Sequence, residues 1–146
     1  MSIKKYQAKR KFEKTSEPKG RIEKTNKKRF VIQEHWASHH HFDFRLEING
    51  VLRSWAIPKE LPKKEKIKRL AVQVENHPID YINFHGIIPS GQYGAGRVEI
   101  FDKGKYKMIE QDKNKIIFEL KGKKIKGQYI LIRMKNTKNW LIWKIK

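Results

Sequence analysis

The chain has 146 residues, with 35 Lys or Arg against 15 Asp or Glu, a formal net charge of +20 with histidine neutral, and no cysteine. A chain of this length can bury roughly 70% of the surface it exposes when unfolded, and a content of 38% hydrophobic and 11% aromatic residues suffices for one core, which excludes wholesale disorder. Disulfides, thiolate metal sites and a cysteine nucleophile are excluded too; no apolar run approaches the ~20 residues of a membrane span and the charged start is unlike a signal peptide, so a soluble, intracellular protein is expected, with nitrogen and oxygen to hold any metal.

Residues 1–29 hold 12 basic and 3 acidic side chains but only six hydrophobic ones, and Ser16, Pro18 and Gly20 break any period. This reads as a basic arm, disordered or partly ordered, that settles on contact with a partner. From Phe30 onward, short runs of period two alternate with turn residues, beginning with a strand at 30–34. Phe42, Phe44, Leu46 and Ile48 then alternate with His41, Asp43, Arg45 and Glu47, and Asn49-Gly50 is a type I′ turn signal before a return strand at 51–57. That register sets Asp43 opposite Ala56 and Arg45 opposite Ser54, leaving room above both. After Pro58, Pro62 and a lysine-rich connector, Leu70, Val72 and Val74 alternate with Ala71, Gln73 and Glu75, which puts Glu75 on the polar side. Further strands are expected at 97–101, 105–109, 116–120, 128–134 and 139–145, and no helix longer than two turns. About eight short strands hide their edges best in a closed or nearly closed antiparallel barrel, so an all-β fold is expected, with an arm at 1–29 and a barrel domain at 30–146.

Residues 30–101 carry 9 basic and 8 acidic side chains and residues 102–146 carry 14 and 4, so the two flanks hold +19 of the +20, while all six histidines lie in the near-neutral middle. Flanks of this kind attract phosphates without regard to sequence, and the middle supplies a defined site. Alternate strand residues share a face, so His39, His41, Asp43, Arg45 and Glu47 project together, with His35 six residues before His41. Two imidazoles and a carboxylate suit manganese, zinc or iron with positions left open, although His39 shares the parity of His41 and leaves the ligand choice open. His77, fixed before Pro78 and close to Glu75, suits an acid, a base or a phosphate donor. The Gly-rich loop at 88–96 lacks both the Walker ending and the dinucleotide spacing.

The string from Phe30 to Lys59, including Gln33-Glu34-His35, His41-Phe42-Asp43-Phe44-Arg45 and Ser54-Trp55-Ala56-Ile57-Pro58-Lys59, resembles the 3′-phosphoesterase domain of bacterial DNA ligase D and its stand-alone archaeal and bacterial relatives. The resemblance continues through Val74-Glu75-Asn76-His77-Pro78-Ile79-Asp80-Tyr81 and the 88–96 loop and weakens in the arm and after Asp102. It implies a small β-barrel that heals DNA 3′ ends with a divalent metal, Mn²⁺ first and Zn²⁺ or Co²⁺ as alternatives. A phosphodiesterase step would remove a 3′-terminal ribonucleoside and a phosphomonoesterase step the remaining 3′-phosphate, leaving a 3′-OH for ligation. By the same resemblance His35, His41 and Asp43 are the metal ligands. Arg45, Lys59, His77 and Tyr81 are phosphate-binding or catalytic, with Glu75 beside them orienting His77, and Arg10 and Glu17 serve from the arm. His77 would protonate the leaving oxygen or stabilise the transferring phosphoryl group. The expected partners are DNA 3′ ends and a separate ligase, polymerase or Ku-type end-binding protein, with a monomer acting in the cytoplasm at the nucleoid. Lys11, His39, His40, His85, Ser90 and Gln92 depart from the family pattern. Two alternatives use the same features: a non-catalytic nucleic-acid-binding barrel that protects or delivers DNA ends, with Trp36, Trp140 and Trp143 as stacking candidates, and a general metal nuclease.

Overall fold

The structure is a computed structural model, described here for residues 2–21 and 27–146. Its framework is nine strands: β1 (Arg29–Trp36), β2 (His40–Ile48), β3 (Val51–Ile57), β4 (Arg69–Pro78), β5 (Gly86–Ile88), β6 (Gly96–Gln111), β7 (Lys115–Lys121), β8 (Lys126–Arg133) and β9 (Asn139–Lys144). They pair antiparallel in the order β1-β2-β3-β4-β9-β8-β7-β6, and a β1–β6 ladder closes eight of them into a barrel, with β5 added on β6. Helical structure among the described residues is one short α-helix, α1 (Lys4–Ala8), and a 3₁₀ turn at Ile79–Asn83.

The β2–β3 hairpin has the expected register, with Asp43 opposite Ala56 and Arg45 opposite Ser54. Asn49 and Gly50 both take positive φ, 50° and 82°, as a type I′ turn requires. Period two then sends Phe42, Phe44, Leu46 and Ile48 into the barrel, where they join side chains from every other barrel strand, among them Trp55, Tyr106, Phe118, Tyr129 and Trp140. Phe44 and Phe118 stack with centroids 5.6 Å apart. Truncating such a ring to Ala costs roughly 3–5 kcal/mol.

A second apolar layer lies outside the barrel. Val31, Leu52 and Val98 face outward from the sheet and meet Ile79, Tyr81, Ile82 and Phe84 of the 3₁₀ turn region, Ile88 of β5, and Ile3 and Tyr6 of the arm. The described part of the arm is therefore packed against the barrel, in contrast to an arm that orders only on contact with a partner. Its few apolar residues suffice because α1 lowers Tyr6 completely into this layer, where its hydroxyl donates to the carbonyl of Pro18.

Two strand assignments change. The expected strands at 97–101 and 105–109 are one 16-residue strand, β6, whose first half runs between β5 and β1 and whose second half pairs with β7. In β4 the faces are the reverse of the alternation read from sequence. Ala71 is fully buried in the core, Gln73 accepts a bond from Trp140 Nε1 at 3.0 Å, and Val72 lies opposite Ala56 on the outer side. A bulge follows: Ser54 pairs with Val74 but Leu52 pairs with His77, so β4 spends three residues where β3 spends two. The extra residue lets Val74 and His77 share the outer side, which strict alternation would forbid.

Candidate active site

On the outer side of β1–β4, under the arm and the 88–96 loop, lies a cavity of about 310 Å³ lined by Arg10, His35, His41, Asp43, Arg45, Glu75, His77 and Tyr81, with Ala37, Ala56, Val74, Ile88, Tyr93 and Gly94. The β1–β2 ladder builds its floor by setting His35 opposite His41 and Gln33 opposite Asp43. His35 Nδ1 lies 3.4 Å and His41 Nε2 3.2 Å from the Asp43 carboxylate. Potential ligand atoms of the three residues all fall within 4.8 Å of one another.

Each imidazole is anchored at its far nitrogen. His35 Nε2–H donates to the Gly94 carbonyl at 2.7 Å, and His41 Nδ1–H donates to the His39 carbonyl at 2.8 Å. These bonds orient both rings so that His35 Nδ1 and His41 Nε2 face Asp43. Burial alone would raise the Asp43 pKa, but Arg45 and bonds from His35 and His41 outweigh it and hold the carboxyl far below the usual range. Two imidazole nitrogens and an ionised carboxylate, converging within one cation's reach, are a donor set that fits a divalent metal. The ambiguity between His39 and His41 is resolved at the level of geometry: His39 is exposed and contributes its carbonyl, and His40 turns away to Glu34 at 2.8 Å and stacks on Trp36.

Arg45 adjoins this cluster, with Nη2 3.5 Å from Asp43 Oδ2 and its guanidinium 4.8 Å from the Tyr81 ring centroid. Its Nε donates to Gln33 Oε1 at 2.6 Å, while Nη1 is buried and has no hydrogen-bond partner. Gln33, fully buried, donates its own amide to the carbonyls of Tyr81 and Phe84 at 2.9 and 3.0 Å. Gln33 lies within the recognised string without an assigned role; its signal was parity with His35, two residues on.

Opposite the ligand cluster, His77 is buried between Tyr6 and Tyr81, with ring centroids at 4.9 and 4.7 Å. Its Nδ1–H donates to the main-chain carbonyl of Glu75 at 2.9 Å. Glu75 thus orients His77 through its backbone carbonyl. The Glu75 side chain is engaged by Lys9 and Arg10, each at 3.2 Å, and its own backbone bond together with these cations lowers its pKa against the opposing effect of burial. Burial, then Arg45 and Arg10, push the His77 pKa well below its ordinary value, so the ring is neutral and Nε2 is bare, 3.4 Å from Arg10 Nη2.

The arm reaches the cavity. Arg10 enters the cavity, its Nε on Glu17 at 2.9 Å and Nη1 on the Tyr6 carbonyl at 3.0 Å. Glu17 is buried behind Arg10 and Tyr81, accepting from the Tyr81 hydroxyl at 2.7 Å and from Thr15 at 3.0 Å. It is not among the cavity-lining residues, and its carboxylate holds the Arg10 guanidinium and the Tyr81 hydroxyl in place. Lys59 is exposed in the bend after β3 and does not line the cavity. Trp140, one of the stacking candidates, is a core residue. A larger cavity of about 560 Å³ beside Lys103 and Lys124 offers no comparable cluster, since its one carboxylate, Asp102, accepts four backbone N–H bonds.

A buried guanidinium with a free donor, a bare imidazole at His77 and a ligand-competent trio thus line one cavity. The chain belongs to the family of the DNA Ligase D 3′-phosphoesterase domain, which matches residues 33–133. It is 45% identical over 136 residues to the multifunctional non-homologous end joining protein LigD of Pseudomonas aeruginosa, covering 88% of this chain and 16% of that protein. It is 46% identical over 154 residues to the Mycolicibacterium smegmatis protein of the same name, covering 97% and 20%. It is 48% identical over 121 residues to the multifunctional non-homologous end joining DNA repair protein LigD of Mycobacterium tuberculosis, covering 80% and 16%. The chain spans a fifth or less of the length of these relatives.

Proposed function

We propose that this protein is a metal-dependent DNA 3′-end-healing phosphoesterase that removes a 3′-terminal ribonucleoside as a phosphodiesterase and then the 3′-phosphate as a phosphomonoesterase. The observation that carries this reading is the convergence of His35, His41 and Asp43 within 4.8 Å beside the unpartnered Arg45 Nη1. In it, His35 Nδ1, His41 Nε2 and Asp43 would hold a divalent cation, Mn²⁺ first and Zn²⁺ or Co²⁺ as alternatives. The cation supplies Lewis acidity toward a phosphate oxygen.

Arg45 Nη1 finds in a phosphate oxygen the acceptor it lacks, at a cost already met in folding, since Gln33 and Tyr81 hold the guanidinium in place. Arg10 meets the phosphate from the other side. The phosphate's negative charge offsets Arg45 and Arg10, which together with burial keep His77 neutral. His77 Nε2 can then hold the proton that passes to the leaving oxygen as water attacks the phosphorus and the ester P–O bond breaks. The Tyr81 hydroxyl, held by Glu17, fixes the wall against which the ester lies.

In this reading the chain is a basic arm, 1–29, on a phosphoesterase barrel, 30–146, acting as a monomer at the nucleoid in the cytoplasm on DNA ends in non-homologous end joining. A ligase, polymerase or Ku-type protein would complete the repair. The test is incubation with a primer-template carrying one 3′-terminal ribonucleotide, with and without Mn²⁺, resolved on a denaturing gel. A strand shortened by one nucleoside, first with a 3′-phosphate and then with a 3′-OH, is expected with metal only. An intact strand would refute the catalytic reading, and internal cuts would make the protein a general nuclease.

A further inference from the structure

The cavity borders two surface regions of different chemistry. One is a groove of about 670 Å³ that shares Val74, Glu75 and Tyr93 with it. Val72 and Val74 form its floor because β4 turns these two side chains outward. Lys4, Lys5 and Lys9 from the arm line it, with Arg133 and Lys138 from the β8–β9 connection. The other is the stretch 36–41 that joins β1 to β2, which gives the cavity Ala37 and His41 and contains no lysine or arginine. Arg97, the cation nearest that turn by β1–β6 pairing, lies over the Trp36 ring at 4.0 Å.

A 3′-terminal phosphodiester is asymmetric. On its 5′ side continues a strand with one charge per nucleotide, and on its 3′ side is a single nucleoside with no further phosphate. The charged strand is stabilised where cations line an exit, and the nucleoside needs only space. We propose that the groove between the arm and the β8–β9 connection seats the sugar-phosphate backbone immediately 5′ of the scissile phosphate, and that the departing nucleoside leaves past Ala37. This rests on the phosphoesterase reading and adds the polarity of the strand to it. Lys9 joins cavity and groove, since its ammonium pairs with Glu75 and lies 4.7 Å from the Tyr93 ring centroid. The strand then binds the arm as well as the barrel, so the lysines of α1 contribute to substrate affinity while Arg10 contributes to chemistry.

The test uses the full chain and a primer-template with a 3′-phosphate. Lys5→Glu with Lys138→Glu reverses two groove charges without touching the cavity. It should raise KM by about tenfold or more at low salt, leave kcat within twofold, and reduce the slope of log KM against log salt by about 1.8, or 0.9 per phosphate contact. A control pair, Lys121→Glu with Lys126→Glu, lies at the far end of β8 and should change KM far less. Because the chain has no cysteine, Lys138→Cys also offers one attachment point for a photo-crosslinker. In EDTA it should label nucleotides just 5′ of the 3′ end on the processed strand. Equal effects of the two pairs, or labelling confined to the complementary strand, would overturn the proposal. Failure of the wild type to release phosphate would instead overturn the phosphoesterase reading.

Discussion

Arg45 Nε donates to Gln33 Oε1 at 2.6 Å, and that bond between adjacent strands decides where the rest of the guanidinium points. With Nε engaged and Nη2 near Asp43, only Nη1 is left for a substrate.

Gln33→Leu should therefore damage chemistry and fold together. It removes the acceptor of a buried charge and leaves the Tyr81 and Phe84 carbonyls without their donor, a loss of about 1–3 kcal/mol. Urea unfolding measures that loss, and kcat should fall by tenfold or more because Arg45 is no longer aimed. Gln33→Glu, which keeps an acceptor for Arg45, should recover much of kcat. Unchanged kcat in Gln33→Leu would show that Arg45 orientation is set elsewhere.

Metal dependence is tested at Asp43. Asp43→Asn keeps shape and removes the charge on which both imidazoles converge, so Mn²⁺ affinity measured by calorimetry should fall by more than the about 10–100-fold typical of losing an outer partner. Excess EDTA should silence the wild type and Mn²⁺ should restore it. Full activity in EDTA would remove the cation from the mechanism.

The packing of Tyr6 makes the arm part of the barrel's stability. Tyr6→Ala empties a fully buried ring site beside His77 and Tyr81, at roughly 3–5 kcal/mol. Deletion of residues 1–21 should cost at least as much and abolish turnover by removing Arg10, while Lys11→Ala, at an exposed position, should change neither. Thermal melts and turnover of the three variants separate packing from charge.

The pH dependence follows from His77. The unfolded chain takes up a proton at this histidine near pH 6.5, whereas the buried ring resists it to a much lower pH. Its contribution to stability is complete above pH 6.5 and is lost as pH falls from there toward the depressed folded value. His41 works with the opposite sign: Asp43 raises its pKa against the effect of burial, so its contribution is complete below pH 6.5 and fades as pH rises through the raised value. Urea midpoints of the wild type and His77→Asn, compared between pH 5 and 7.5, isolate the first effect. The variant should lose less stability on acidification, and an identical decline in both would show that His77 is not the group responsible.

The β2–β3 hairpin and the His35, His41, Asp43 face were legible because period two and Asn49-Gly50 are local signals that fix register and facing at once. β4 was misread for a local reason as well. Val72 and Val74 look like core residues, yet they floor an outer groove, while the small Ala71 faces inward against Trp140. The bulge that aims His77 leaves no mark in an alternation pattern. Arm contacts were beyond any local rule, since Arg10 meets Glu75 65 residues away and Tyr81 meets Glu17 64 residues away. Only a resemblance spanning both segments could bring those residues together.

β1 is laddered along its length on both sides, to β2 and to β6. Its amide protons should be among the last in the molecule to exchange with solvent, because releasing them opens two ladders at once. Gln33 and His35 ride on that slow element, whereas among the described residues 2–21, to which Arg10 belongs, there is one five-residue helix and no strand. In exchange experiments the site should therefore divide along the line between Arg10 and Arg45. One wall would open by local fluctuation on a short timescale, and the other only when the barrel itself comes apart.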